Sequence, residues 1–491
     1  MKPIIIGSRR ELFWDDALIE KSRTTAAACL HTPRHEEVVL RHDAPWEGDG
    51  CNSHSIIHDG GIYRMYYLAW TMLDDNVTSH AGREMVVCYA ESHDGLHWDK
   101  PALGICEHGG SRDNNILLDK TNCDQVDMPY VFLDENPACP PTERFKLIRQ
   151  GPGKLPGNHL TCYVSGDGIH FSKGWTLTSQ GAFDTQNIAM WVPERQAYLA
   201  FIRNFHERPG ALKQGKTNIR DIRWMTSPDF REWSEPRLLD FNGAEDYPLY
   251  VNAVQRYPRA PHQFIGFPSR YVEREAWTPN YDQLAGAELR RRITGVHPRY
   301  GLATTDCVFM TSRDGERWTR YDEAFMRPGI ERVNNWVYGD CFIVPALVET
   351  PSALPNAPSE LSLYTFENHW RMIPAELRRY TIRSDGFASR HAGYAEKRLV
   401  TRPFIFDGSS LSLNFSTSAR GYVHVTLRSP DRPLVSCELF GDSLDRRVPF
   451  DGDLASLAGR EVIMEMSLSD ADVFSLQFIA ERLSNDPHIT P

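Results

Sequence analysis

Short runs that alternate apolar and polar residues recur along most of the chain. Ile62-Tyr63-Arg64-Met65-Tyr66-Tyr67 and Met85-Val86-Val87-Cys88-Tyr89-Ala90 come first, then Arg144-Phe145-Lys146-Leu147-Ile148 and Leu160-Thr161-Cys162-Tyr163-Val164. Similar runs occupy 197–202, 263–267, 307–310, 361–364 and 379–382. A period of two with many β-branched and aromatic side chains predicts half-buried strands. Helical periodicity is nearly absent, and 34 glycines with 32 prolines suit a loop-rich β protein. The polar segment from about 272 to 300 reads as an inserted loop, and the fold class is all-β.

A second pattern organises these strands. Ser92-His93-Asp94-Gly95-Leu96-His97-Trp98 returns as Ser165-Gly166-Asp167-Gly168-Ile169-His170-Phe171, Ser227-Pro228-Asp229-Phe230-Arg231-Glu232-Trp233 and Ser312-Arg313-Asp314-Gly315-Glu316-Arg317-Trp318. Ser384-Asp385-Gly386-Phe387 is a degenerate fifth copy. Serine and aspartate oxygens can hold nearby backbone N–H groups, glycine accepts positive φ, and the aromatic packs on re-entering a strand, so each copy is a hairpin tip. At roughly 60–85 residues apart, five copies suit four-stranded units with variable loops, which predicts a five-bladed β-propeller. Beyond about residue 399 the strands shorten and alternate, as in Leu411-Ser412-Leu413-Asn414-Phe415 and Val462-Ile463-Met464-Glu465-Met466, predicting a small β-sandwich. The expected organisation is a propeller over 1–390 and a sandwich over 395–483.

The balance of 54 basic against 65 acidic residues, a net charge of −11, disfavours nucleic acid. Arg290-Arg291-Arg292 is the one tight basic run and reads as a solvated loop face. The N-terminus lacks a signal-like apolar stretch and no long apolar run follows, so a cytoplasmic protein without membrane contact is expected. Ten scattered cysteines form no CxxC pair and no zinc-like spacing with histidine, which predicts free thiols and no metal site. No cofactor is called for, and a homo-oligomer is left open.

In a propeller, the first strand of each blade runs beside the axis, so the starts of five distant segments converge. Acids gather at these starts: Glu47 and Asp49 in blade 1, Asp127 in blade 2, Asp184 in blade 3, Glu245 and Asp246 in blade 4. Asp340, inside a blade 5 strand, reads as a core acid, and the aspartates of the hairpin tips are explained by their turns. Clustered carboxylates suit glycosidic cleavage, which needs one protonated acid and one ionised carboxylate. Trp46, His54, Asn187, Arg203, Arg270, Arg332, Asn334, Asn335 and Trp336 are candidate contacts for a hydroxyl-rich ligand, since planar aromatics cover sugar faces and Arg and Asn hydrogen-bond hydroxyls.

Over roughly residues 10–390 the chain resembles the five-bladed propeller glycoside hydrolases, the group containing families 32, 43, 68 and 130. The hairpin tips, the run Asp59-Gly60-Gly61-Ile62-Tyr63-Arg64-Met65-Tyr66-Tyr67 and the acids opening blades 1 to 3 carry the resemblance. It implies three acidic roles, nucleophile or base, transition-state stabiliser and general acid, on Glu47 or Asp49, then Asp127, then Asp184. Two departures stand out: Cys51-Asn52-Ser53-His54 occupies the place of the family 32 Trp-Met-Asn-Asp-Pro-Asn-Gly motif, and Asp184 stands where a glutamate is usual. The expected activity is an exo-acting glycosidase on a small carbohydrate. A glycoside phosphorylase, with phosphate held by Arg203, Arg270 and Arg332, and a non-catalytic sugar-binding propeller are the alternatives.

Overall fold

In a computed structural model, which describes residues 2–82, 84–151, 158–207, 218–430 and 432–480, five antiparallel sheets follow one another along the chain. Blade 1 comprises Asn52–Asp59, Ile62–Ala69, Val86–Ser92 and Ile116–Leu118; blade 2 comprises Tyr130–Leu133, Phe145–Gln150, Leu160–Ser165 and Ser172–Thr178. Blade 3 is built from Ile188–Val192, Ala197–Glu207, Asn218–Ser227 and Arg237–Leu238. Blade 4 uses Gln255–Tyr257, Ala260–Gly266, Ala303–Ser312 and Thr319–Met326, with Ser269–Glu273 continuing the pairing of its second strand. Blade 5 contributes Val348–Thr350, Glu360–Glu367 and Glu376–Ile382, and takes its outer strand, Arg34–Arg41, from the start of the chain.

That borrowed strand closes the ring. Five apolar cores lie between successive blades, and the fifth joins Val348, Tyr364 and Leu377 of blade 5 to Met65, Tyr67 and Cys88 of blade 1. Alternation explains the packing, because each strand buries side chains on both faces against the neighbouring blades.

The repeated turn has the expected chemistry. Ser92 Oγ accepts from Gly95 N at 2.9 Å, and Asp94 Oδ1 accepts from the amides of Leu96 and His97 at 2.8 and 2.9 Å. Ser165 with Asp167 and Ser312 with Asp314 repeat this pattern. Gly168 takes φ +78°, and a Cβ there would lie 2.7 Å from Tyr66 Oη and 3.0 Å from the Phe145 ring. Gly168→Ala is therefore expected to destabilise the protein by about 1–3 kcal/mol, read as a lower melting temperature. In blade 3, Phe230 takes the same conformation at φ +64°, and its ring is buried between blades 2 and 3.

The degenerate fifth copy has another task. Its chain runs on into Ala388–Ala392 of the C-terminal sheet, and Asp385 is fully buried. This carboxylate accepts from Arg10, Tyr257, Ser475 and Asn414 and ion-pairs with Arg259 at 3.1 Å.

The C-terminal region folds over a single apolar core in the manner of a β-sandwich, around two long strands, Ser410–Arg428 and Glu461–Ile479. The start of the chain joins it. Ile4–Gly7 pairs in parallel with Phe404–Phe406, Glu11–Leu12 pairs with Glu461–Ile479, and Ala27–Leu30 pairs with Ala388–Ala392. The expected propeller span of 1–390 thus includes strands that hydrogen-bond into the other sheet; such short edge strands carry too little pattern to be placed from sequence.

The segment from 272 to 300 is not a plain loop. It holds three short helices, α1 (Pro279–Gln283), α2 (Ala287–Val296) and α3 (Pro298–Leu302). Leu289, Ile293 and Val296 form the apolar stripe of α2 beneath a polar average composition. The basic run splits accordingly. Arg290 is fully buried, donating to the carbonyls of Gly301 and Trp336, while Arg291 pairs with Asp282 and Arg292 reaches the Asn76 carbonyl. All ten cysteines are free, and most are buried. No helix among the described residues is long and apolar enough to cross a membrane.

Candidate functional site

All five blades enter the axis through the same local device. Just before or within each innermost segment one non-glycine residue adopts positive φ: Ser53 at +52°, Met128 at +45°, Phe183 at +42°, Ala253 at +43° and Cys341 at +60°. The left-handed conformation disfavours such residues by roughly 1–2 kcal/mol each, a strain that surrounding packing must hold. Its result is a cavity on the axis lined from every blade, by Ser53 and His54, Met128, Thr185 and Gln186, Tyr250 and Val251, and Tyr338 with Phe342. Gln186 staples three blades there, its Nε2 donating to the carbonyls of His54 and Pro129 at 2.9 and 3.1 Å.

Two acids adjoin residues of these kinked segments. Asp127 precedes the Met128 kink, and burial drives its carboxyl up to about 6 against the opposing pull of the Met128 amide and Arg149. Its Oδ1 is buried without a hydrogen-bond partner among the described residues. Asp184 follows the Phe183 kink; its carbonyl accepts from Tyr250 Oη at 2.8 Å, and its carboxylate forms an ion pair with Arg203. The Asp184 side chain is 43% exposed whereas that of Arg203 is 2% exposed, so the acid is the solvent-facing member of the pair. Arg203 packs over Phe205 and Tyr250, 4.5 and 5.1 Å from the ring centres.

The other acids lie in different settings. Glu47 is locked in place, accepting from Tyr67 Oη at 2.5 Å, Ala44 N at 2.9 Å and Lys100 Nζ at 2.7 Å. Asp49 accepts from the amides of Met72 and Met372 at 3.2 and 3.0 Å, and burial raises its pKa. Both oxygens of Asp49 thus tie a blade 1 loop to a blade 5 loop. Glu245 is exposed, and its carbonyl accepts from Arg320; Asp246 receives His206 Nε2 at 2.8 Å. Asp340 is a buried carboxyl, raised to about 7 by burial and bonded to Val337 N at 2.8 Å.

Of the expected ligand contacts, His54 lines the axial cavity, and Arg203 packs over Tyr250, which also lines it. His54 stacks on Tyr67 and meets His42 Nε2 at 3.0 Å, and burial holds its pKa well below the usual histidine value. Asn187 is occupied in shaping the Phe183 turn, donating to Phe183 O and Thr185 O and accepting from Arg203 N. Trp46 donates to Asn115. Arg270 grips Asp306, and Arg332 pairs with Glu367 at 3.2 Å. Asn335 closes its own loop through Pro328 O, Ile330 O and Arg332 N, Trp336 bonds Gly329 O, and Asn334 is half-buried in the same loop.

Sequence reasoning missed the roof of the site and its cations. Ile293, Leu289 and Tyr300 of the blade 4 helices pack with Met72, Leu73 and Val77 of blade 1 and Trp370 of blade 5. Arg371 ties Val333 O to this layer, and Tyr338 stacks on Trp370 at 4.6 Å. Arg220 lies 4.1 Å from the Tyr271 ring centre, and Arg299 acts electrostatically on Tyr250, Tyr271 and Tyr338. Only the long insertion hinted at any of this. Away from the axis, Cys29, His31 and Asp472 place donor atoms within 4.8 Å of one another, although sequence spacing predicted no metal cluster. His31 and Asp472 already hydrogen-bond Ser389.

No family model and no curated protein matches the chain. Among solved structures it is similar to a family 43 arabinoxylan arabinofuranohydrolase from Bacillus subtilis, at 10% identity over 92% of this chain and 99% of that one, with a TM-score of 0.38. A family 32 β-fructofuranosidase from Bombyx mori matches at 9% identity, over 92% and 95% of the two chains, with a TM-score of 0.40. A structure from the family 130 mannoside phosphorylases, described as containing hydrolases of β-1,2 mannosidic linkages in Candida mannan, gives 12% identity, 72% and 94% coverage, and a TM-score of 0.40. The five closed blades and the trailing sheet identify the chain as a five-bladed β-propeller with a C-terminal β-sandwich-like region.

Proposed function

We propose that the chain is a glycoside-processing enzyme, an exo-acting glycosidase working at the roofed axial mouth. One observation carries the reading: the acids opening two neighbouring inner strands sit in opposite electrostatic settings. Asp127 is desolvated and its pKa is raised by burial, whereas the more exposed Asp184 forms an ion pair with Arg203. Environments that push two carboxylates apart in proton affinity are what glycosidic cleavage uses.

In this reading Asp127 gives its proton to the glycosidic oxygen as the bond from that oxygen to the anomeric carbon breaks. Asp184 stabilises the positive charge left on the sugar. Water adds to the anomeric carbon, and its surplus proton returns to a carboxylate. Neither a metal nor a cofactor is needed for these steps. The roof of α2, α3 and the blade 1 loop supports an exo mode, because a covered mouth admits a chain end more readily than a chain middle.

The pH dependence has a definite sign. Asp127 donates only while protonated, so kcat/KM should fall as pH rises through about 6. The test is a screen of aryl pyranosides and furanosides, with aglycone release followed from pH 4 to 9. Turnover with that basic limb supports the proposal. Ligand binding without turnover of any glycoside, unchanged in Asp127→Asn, would replace it with a sugar-binding propeller.

A further inference from the structure

Among the described residues, one group of metal-ligating side chains gathers away from the axis, where the start of the chain joins the C-terminal sheet. Ala27–Leu30, Ala388–Ala392 and Glu461–Ile479 are adjacent strands there. Cys29 stands opposite Ser389, and His391 stands opposite Asp472. Residues directly opposite across an antiparallel pair share a face, as do residues two apart along a strand. Cys29, Ser389, His391 and Asp472 therefore project from one face. His31, whose amide continues the pairing by donating to Phe387 O at 3.0 Å, joins them two residues after Cys29. The register thus brings together a thiol, an imidazole and a carboxylate, all half-buried, whose donor atoms lie within 4.8 Å of one another.

Ligands of a tetrahedral ion stand roughly 3.3–3.7 Å apart, given bonds of about 2.0–2.3 Å. His31 Nε2 and Asp472 Oδ1 are already 3.8 Å apart, so small side-chain rotations complete the triangle. Ser389 Oγ at 2.5 Å and His391 Nδ1 at 3.1 Å brace Asp472 at Oδ1, which leaves its second oxygen for an ion. Such outer hydrogen bonds orient ligating carboxylates in metal sites. Arg383 acts electrostatically on His31, but Asp442 answers its charge. A cleft of about 630 Å³ between blade 5 and the sandwich, lined by His31 and Asp472, offers an entry path and room for water as a fourth ligand.

We propose that Cys29, His31 and Asp472 bind a divalent transition ion of the zinc class. A thiolate, an imidazole and a carboxylate match the ligand preferences of such an ion and suit calcium or magnesium poorly. The thiol releases its proton as the ion binds, and His31 presents Nε2, which otherwise meets Ser389 Oγ at 2.9 Å. The ion clips the segment leading into Arg34–Arg41, the strand that closes the propeller, to Glu461–Ile479 of the C-terminal sheet.

The test is calorimetric titration of the chelator-treated full chain with zinc chloride, with cobalt chloride as a spectroscopic probe. Wild type should take up one tight equivalent of zinc and melt at a higher temperature with it than without. Cobalt should give a thiolate charge-transfer band. Cys29→Ser should abolish that band and weaken zinc binding by about 100-fold or more, since loss of a supporting partner alone costs about 10–100-fold. Cys437→Ser, which removes an exposed thiol, should change neither. Should Cys29→Ser melt early, His31→Gln takes its place and should weaken zinc binding to a similar degree. Failure of wild type to bind zinc stoichiometrically, a band that persists in Cys29→Ser, or an adventitious ion held equally well by the variants overturns the proposal. None of these readouts involves glycoside turnover.

Discussion

Asp127→Asn is expected to lower kcat by about 10²–10⁴-fold while the protein remains folded, because an amide cannot supply the proton a leaving alkoxide needs. The loss should depend on the leaving group. An acidic nitrophenol departs with little protonation, so its hydrolysis should suffer least; an alkyl or sugar leaving group should suffer most. The basic limb near pH 6 should vanish from the residual rate. Stability should move the opposite way. The folded pKa of Asp127 lies above the ordinary aspartate value, so the native state binds the proton more tightly than the unfolded chain does. Its contribution is fully present at low pH, is lost as pH rises from about 4 towards 6, and is gone above that. At pH 7.5 the neutral asparagine variant should therefore melt no lower than wild type. A lower melting point would mean that the carboxylate holds the fold together rather than serving chemistry.

The largest effect on stability is expected where the propeller joins the C-terminal sheet. Asp385→Ala should destabilise the protein by about 3–5 kcal/mol, the range for removing one partner of a buried ion pair. Arg10, with an 8% exposed side chain, would keep only the half-exposed Asp445 as an acidic partner, and Tyr257, Ser475 and Asn414 would lose an acceptor. These partners belong to the propeller, the N-terminal segment and the C-terminal sheet, so the junction itself should loosen. Chemical unfolding followed by tryptophan fluorescence would report this directly, since Trp14 donates to Asp385 O beside the same carboxylate. Asp385→Asn, which keeps the shape and part of the hydrogen bonding, should lose less.

The blades were legible because their signals are local. The Ser-x-Asp-Gly turn is satisfied within a few residues, and strand alternation needs only a neighbouring face to pack on. The outer strand of blade 5 was not legible, since Arg34–Arg41 finds its partner more than three hundred residues away. The helices at 279–302 were hidden by polar composition, with an apolar stripe of only three residues on α2. At the site, strand starts pointed to Asp127 and Asp184, which stand beside the kinked Met128 and Phe183, but could not tell an open carboxylate from an engaged one. Glu47 and Asp49 occupy the corresponding stretch of blade 1, yet Lys100, Tyr67 and three backbone amides bind them, contacts that strand starts do not reveal. Arg220 and Arg299 carry no sequence signature because an arginine on a strand or helix is ordinarily a solvated residue.

A side-by-side rate measurement on one glycoside with an unactivated leaving group, using wild type, Asp127→Asn and Asp184→Asn at matched folded fractions, bears most directly on the axial pair. The expected result is that both variants fall by about 100-fold or more while still binding the sugar. Undiminished rates in both variants would contradict it and move the chemistry away from the axis.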